Sequence, residues 1–302
     1  MNKLKAWISA ARLRTLPLSI SGILLGTALA NQDGFNDVTI LFLALATTIA
    51  FQITSNFAND YGDGVKGTDD ETRIGPKRAL QSGLLTRAEL KLGIIIVALI
   101  SFVLTLILVY YSFGIENLGY ILLFLVLGLF SIWAALKYTM GDSPYGYQGL
   151  GDVFVFLFFG LLSVIGTKFL YGNQINLIDI LPAIAIGFLC VGVLNLNNLR
   201  DVQSDKKHGK NTLVVKLGFE NGKKYHYVLL SGSFICFLSY SLITFQSFHS
   251  FIYLFFFIPV VIHFVKVVQT NEPRKLDPEL KKLALSTFFM ALAFYIAINY
   301  FS

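Results

Sequence analysis

Charge is scarce in this chain. Only 14% of its 302 residues are Asp, Glu, Lys or Arg, against about 25% in an average soluble domain. With 55% hydrophobic residues and a mean hydropathy of +0.66, a water-soluble globular fold is excluded. Cysteine is almost absent as well. Cys190 and Cys236 both fall inside apolar runs, so they read as buried packing residues rather than a disulfide or a thiolate metal site. The histidines at 208, 226, 249 and 263 are scattered and show no metal-ligand spacing. A cleavable leader is not expected, because the basic, amphipathic MNKLKAWISAARLRTLP lacks a small-residue cleavage site after a short apolar core. The net charge of +6 does not imply a nucleic-acid partner. In a membrane chain, Lys and Arg first report orientation.

What the chain has in abundance is apolar sequence. Runs long enough to span a bilayer occur near 16–32, 36–58, 90–112, 117–137, 150–171, 178–199, 224–245, 250–270 and 281–301. The expected fold is therefore an all-α integral membrane bundle of about nine helices, with residues 1–302 forming one polytopic domain. Basic residues collect in alternate connections. One set contains Lys3, Lys5, Arg12 and Arg14, then Lys66 to Arg87, Lys137, Arg200 to Lys216, and Arg274 to Lys282; Lys168 is the one basic residue close to the other set. The positive-inside rule puts the first set in the cytoplasm and the C-terminus outside. The segment before Pro17 is expected to lie along the interface, with Trp7 and Ile8 in lipid; Arg14 sits close enough to the first span to reach a polar chamber.

Two basic connections are also acidic. The stretch from Asn56 to Asp70 reads NFANDYGDGVKGTDD, and the second runs from Asn197 to about Lys223. Carboxylates at the edge of a hydrocarbon phase are costly and call for a partner or a use. Asn56, Asp60 and Asp63 are spaced i, i+4, i+7, and Asn197, Asp201 and Asp205 are spaced i, i+4, i+8, so each trio shares one helix face. The likeness of the two stretches, four helices apart, suggests an internal duplication with a site at the junction. Two acidic faces suit two Mg²⁺ ions bridged by a diphosphate, and Lys66, Arg73, Lys77, Arg78, Arg200 and Lys210 nearby suit its remaining oxygens. A third polar patch holds Tyr138, Asp142, Tyr145, Tyr147 and Asp152. Aromatic walls there fit a planar substrate or a developing carbocation. The Phe-rich Val153 to Gly160 is most simply lipid-facing or core packing, and equally suits a groove for an isoprenoid tail.

NDYGDGVKGTD (Asn59 to Asp69) together with NLRDVQSDKKHGKNTL (Asn198 to Leu213) resembles the paired Asp-rich motifs of the UbiA superfamily of intramembrane aromatic prenyltransferases. ARLRTLPLSI, RIGPKRALQSGLL and YGYQGLGDVFVFLFFG are similar to one branch, the 1,4-dihydroxy-2-naphthoate polyprenyltransferases of menaquinone synthesis. Leu13 departs from a frequent proline, and Asp152 stands where that branch often has glutamate. The resemblance implies a nine-helix bundle with a cytoplasmic cap over a central cavity, in the bacterial inner membrane. It implies Mg²⁺-dependent ionisation of a polyprenyl diphosphate and attack by 1,4-dihydroxy-2-naphthoate, with loss of CO₂ to give a demethylmenaquinone. Carried over by motif, Asp60, Asp63 and Asp69 would sit on one metal side, with Asp201 and Asp205 on the other. Asn56, Asn59, Asn197 and Asn198 would orient diphosphate or water; Lys66, Arg73, Arg78 and Lys210 would hold the leaving group. Tyr138 would stand near the allylic carbon, and Asp152 or a further carboxylate such as Asp142 is a candidate for the proton-removing group. Another aromatic acceptor, such as 4-hydroxybenzoate or homogentisate, is the rival within the family. A cation-coupled transporter is the rival from another class, but its acids should lie at mid-depth, whereas here they gather at one interface.

Overall fold

Each apolar run becomes a helix because in hydrocarbon every backbone N–H and C=O must find its partner inside the segment. The structure is a computed structural model that describes residues 3–68, 74 and 78–301. Asp69, Arg73 and Lys77, singled out from the sequence, lie outside the described residues. Among the described residues, nine helices are long and apolar enough to cross a membrane.

A short helix α1 (Lys3–Ala11) precedes the spans α2 (Leu16–Gln32), α3 (Val38–Lys66), α4 (Arg87–Phe113), α5 (Leu118–Lys137), α6 (Gly151–Gly172) and α7 (Ile180–Lys207). A single turn, α8 (Leu213–Leu217), leads to α9 (Phe219–Thr244), α10 (Phe257–Gln269) and α11 (Asp277–Phe301). The first span α2 packs against the last, α11, as well as against α3, so the bundle closes on itself; α7 lies against α6, α9 and α11. Close crossing is made possible by small residues, as hydrocarbon offers no hydrophobic drive between helices. A Cβ on Gly26 of α2 would stand 2.4 Å from the Val164 carbonyl of α6. The outward faces of α4 and α5 are apolar, with Leu99, Val103, Leu122, Val126 and Leu129 all exposed, as lipid contact demands. Within α6, Phe156–Gly166 winds as a π-helix, with Phe156 packed on Phe188 of α7.

Three expectations need correction. The spans expected to end near 58 and 199 run on to Lys66 and Lys207, which puts both acidic trios on helix, as their spacing implies. Nothing in either stretch stops a helix until Gly67 and Gly209, both left-handed at φ 72° and 68°. Trp7 does not sit free in lipid. Its ring packs on Phe57 at 5.2 Å between centroids and covers Gly93 of α4, while Ala6, Ala10 and Ala11 are buried; Ile8 stays exposed. Cys190 is buried as expected, but Cys236 is only half-buried.

The opposite end of the bundle carries a buried cation. Lys168 of α6, 2% exposed, is paired with Asp33 at 2.6 Å and with Asp179. This neutralised lysine is how a basic residue is tolerated in the set of connections otherwise poor in Lys and Arg.

Candidate active site

The helix-ending glycines determine the shape of the site. Beyond Gly67 the Thr68 N–H turns back to the Asp63 carbonyl at 3.0 Å, and beyond Gly209 the Lys210 N–H turns back to the Asp205 carbonyl at 2.9 Å. Each chain reversal therefore folds a polar side chain back toward the cleft, Thr68 onto the Tyr147 hydroxyl and Lys210 toward Asp63 of α3. The cleft so formed is lined by Asp63 and Thr68 from α3 and its turn, and by Arg78 from the following loop. Asn197, Asp201, Ser204 and Asp205 line it from α7, and Lys210 from the α7–α8 turn.

Charges of both signs interleave there. Lys210 Nζ is 4.0 Å from Asp63 Oδ2 and 5.3 Å from the Tyr147 ring centroid. Burial alone would lower the Lys210 pKa, but Asp63 and Asp205 outweigh it and raise it, keeping the ammonium charged. Lys66 Nζ stands 4.6 Å over the Tyr147 ring from the solvent side. The Tyr147 hydroxyl donates to Asp63 Oδ1 at 2.9 Å and meets Thr68 Oγ1 at 2.5 Å. Burial pushes that phenol well above its ordinary range, so it remains a donor.

On α7, Arg200 forks onto Asp201, with Nε to Oδ1 at 2.8 Å and Nη2 to Oδ2 at 2.5 Å. Nη2 also reaches Asn197 Oδ1 at 2.8 Å. Asp205 is buried, and its Oδ2 has no hydrogen-bond partner among the described residues. A buried carboxylate oxygen in this state is a costly arrangement that a cation would relieve. The donor set is all hard oxygen, which fits Mg²⁺. Among the described residues, however, no three His, Cys, Asp or Glu side chains already converge as a metal cluster. Asp63, Asp201 and Asp205 share a cleft without meeting at a point.

Tyr138 forms the wall beside the carboxylates. Its ring stands edge-on to Tyr145 at 5.4 Å, and Tyr145 stacks on Phe154 at 3.9 Å. Gly146 and Gly151 leave room for it, since a Cβ on Gly151 would lie 3.3 Å from the Tyr138 hydroxyl. Its phenol is pushed up to about 12, first by burial and then by Asp152, Asp63 and Asp205, with Lys210 opposing. Asp152 is buried near Tyr138, and its Oδ1 has no hydrogen-bond partner among the described residues.

The other residues expected at the site are placed differently. Asn56 turns away from the cleft, its amide donating to the Ala11 carbonyl at 2.8 Å and to Thr15 Oγ1 at 3.2 Å, so it ties α1 to α3. Asp60 is fully buried behind the cleft wall, where Oδ2 accepts the Ala79 N–H at 3.1 Å and holds the loop that carries Arg78. Asn59 faces Thr139, whose hydroxyl lies 3.4 Å from its Oδ1. Asn198 is buried beside the cleft rather than lining it, and Arg14 is exposed in the turn Leu13–Thr15. Thr68 and Ser204 are not singled out by the sequence. Arg200, read there as one of the basic partners of a diphosphate, grips Asp201 instead. Two histidines that are scattered in the sequence meet in the fold: His226 Nε2 lies 2.9 Å from His263 Nε2, and His263 Nδ1 lies 2.8 Å from Glu279.

A family model described as the UbiA prenyltransferase family matches residues 19–297. A Haemophilus influenzae protein named 1,4-dihydroxy-2-naphthoate octaprenyltransferase is 42% identical over 98% of this chain and 96% of its own length. An Escherichia coli protein of the same name is 41% identical over 99% of this chain and 96% of its own. Among solved structures, a UbiA homologue from Aeropyrum pernix is similar at a TM-score of 0.73 and 13% identity, covering 94% of this chain and 98% of that one. A UbiA homologue from Archaeoglobus fulgidus bound to DMAPP and Mg²⁺ is similar at 0.64 and 16%, covering 95% and 99%. At these identities the solved structures speak to the fold alone.

Proposed function

The chain belongs to the UbiA prenyltransferase family, and from that premise we propose that it transfers a polyprenyl chain from polyprenyl diphosphate to 1,4-dihydroxy-2-naphthoate. The allylic C–O bond breaks and diphosphate departs. A new C–C bond forms at the ring carbon bearing the carboxylate, and loss of CO₂ returns the electron pair that restores the aromatic ring. The product is the demethylmenaquinone skeleton at the quinol level, as no oxidant takes part. The observation that carries this reading is the interleaving of Asp63, Asp201 and Asp205 with Arg78 and Lys210 in one cleft beside an aromatic wall.

In this proposal Asp63, Asp201 and Asp205 hold Mg²⁺, as two ions, with Asp69 from the same motif. When bound, Mg²⁺ would neutralise charge that grows on the departing diphosphate. Lys210, Arg78, Lys66 and Arg73 take the remaining diphosphate oxygens, and their positive charge counts most in the transition state. Asp60 keeps the Arg78 loop in place through Ala79. Tyr138 offers its ring face toward the allylic carbon, where it favours a developing cation. Tyr138, Tyr145 and Phe154 together keep water from that cation. Asp152, buried next to Tyr138, is positioned to accept the phenolic proton of the acceptor. The cleft faces the cytoplasm of a bacterial inner membrane, with the C-terminus outside, in keeping with the distribution of Lys and Arg. The whole of 1–302 acts as one domain, and the lipid tail leaves sideways into the bilayer.

The test is an assay on membranes with labelled polyprenyl diphosphate, with and without Mg²⁺, and a panel of aromatic acceptors. Lipid product from the naphthoate is expected. Product from 4-hydroxybenzoate or homogentisate but none from the naphthoate would move the chain to another branch.

A further inference from the structure

Asp277 belongs to neither acidic motif, yet it touches the machinery of the second. It opens α11, and its Oδ1 accepts from Arg200 Nη1 at 2.7 Å. The Arg200 side chain is 4% exposed, whereas that of Asp277 is 48% exposed. Arg200 thus has two anionic neighbours: Asp201, gripped through both oxygens, and Asp277, held through the opposite edge of the same guanidinium.

This geometry creates a conflict that the chain must resolve. A cation on Asp201 competes with Arg200 for the same two oxygens and repels the guanidinium, so binding loosens the two bonds there. A buried guanidinium that releases its carboxylate with no other anion in reach is left uncompensated, which is strongly unfavourable. Among the described residues the other carboxylate bonded to Arg200 is Asp277, and it comes from a different helix, so it need not move when Asp201 does. Its partial exposure leaves it anchored to protein on one side and adjustable on the other.

We propose that Asp277 is a positioning residue for the second acidic motif, holding Arg200 while Asp201 passes from the guanidinium to a divalent cation. This rests on the reading of Asp201 as a metal holder. Asp277 acts through Arg200 and touches neither substrate nor metal. Without its charge, Arg200 has a single carboxylate among the described residues and keeps it, so the cation competes less well.

The experiment measures binding of Mn²⁺ alone to the full-length protein purified in detergent, by the loss of free-ion EPR signal, with melting temperature in the absence of metal as a second reading. Asp277→Asn is expected to weaken Mn²⁺ binding by about tenfold, the scale of one charge-assisted hydrogen bond, while Asp277→Glu restores it. In an Arg200→Gln background the same Asp277→Asn change is expected to have no further effect, since the group it works through is gone. Wild-type Mn²⁺ binding by Asp277→Asn overturns the proposal, as does an equal loss in the Arg200→Gln background. An Asp201→Asn arm separates the two layers: Mn²⁺ binding unchanged there overturns the metal reading itself, whereas loss there with no effect of Asp277→Asn overturns only the role of Asp277.

Discussion

The Tyr147 hydroxyl donates to Asp63 Oδ1 at 2.9 Å across 84 residues of sequence, so an aromatic side chain of the α5–α6 connection orients a carboxylate at the end of α3. Burial keeps that phenol protonated, and Thr68 Oγ1 shares it at 2.5 Å. Tyr147→Phe removes one charge-assisted bond, about 1.5–3 kcal/mol. We expect kcat/KM for the polyprenyl diphosphate to fall by about tenfold or more, with the protein still inserted. Steady-state kinetics in proteoliposomes check this, and an unchanged kcat/KM would remove Tyr147 from the positioning of Asp63.

Carboxylates from two helices should be needed together. Asp63→Asn and Asp201→Asn are each expected to lower turnover by at least about 10²-fold, and chelation of divalent cations should abolish it until Mg²⁺ is returned. Labelled-substrate turnover, normalised to protein in the membrane fraction, is the measurement. Retained activity in either variant would sink the two-motif site.

Asn56 makes a different kind of prediction, because its amide reaches Ala11 and Thr15 rather than the cleft. Asn56→Ala should loosen α1 at a cost of about 1–3 kcal/mol. Limited trypsin digestion should then cut faster at Lys3, Lys5 and Arg12. If cleavage is unchanged while KM for the diphosphate rises, Asn56 serves substrate instead.

At the opposite end, Lys168→Met would leave Asp33 and Asp179 facing each other without their shared cation. Breaking a buried pair from one side costs about 3–5 kcal/mol. A clear drop in melting temperature in detergent is expected, with turnover at low temperature preserved because the cleft lies at the other end of the bundle. Equal melting of variant and parent would show that this cluster contributes little.

Much of this molecule is written in its composition. A bilayer forces every apolar run of about twenty residues into a helix, so nine runs in the sequence return as nine helices among the described residues. The paired spacings of Asn56, Asp60, Asp63 and of Asn197, Asp201, Asp205 were legible for the same reason, since helical periodicity fixes which residues share a face. Periodicity does not say what a face meets. Only the tertiary packing turned Asn56 to α1 and Asp60 to Ala79 while leaving Asp63, Asp201 and Asp205 at the cleft. It also brought together Tyr147 with Asp63, His226 with His263, and Arg200 with Asp277, pairs separated by 84, 37 and 77 residues. A local pattern is set by the chain's own geometry, whereas which distant side chains become partners depends on how closely the helices cross, and that is decided when the bundle closes.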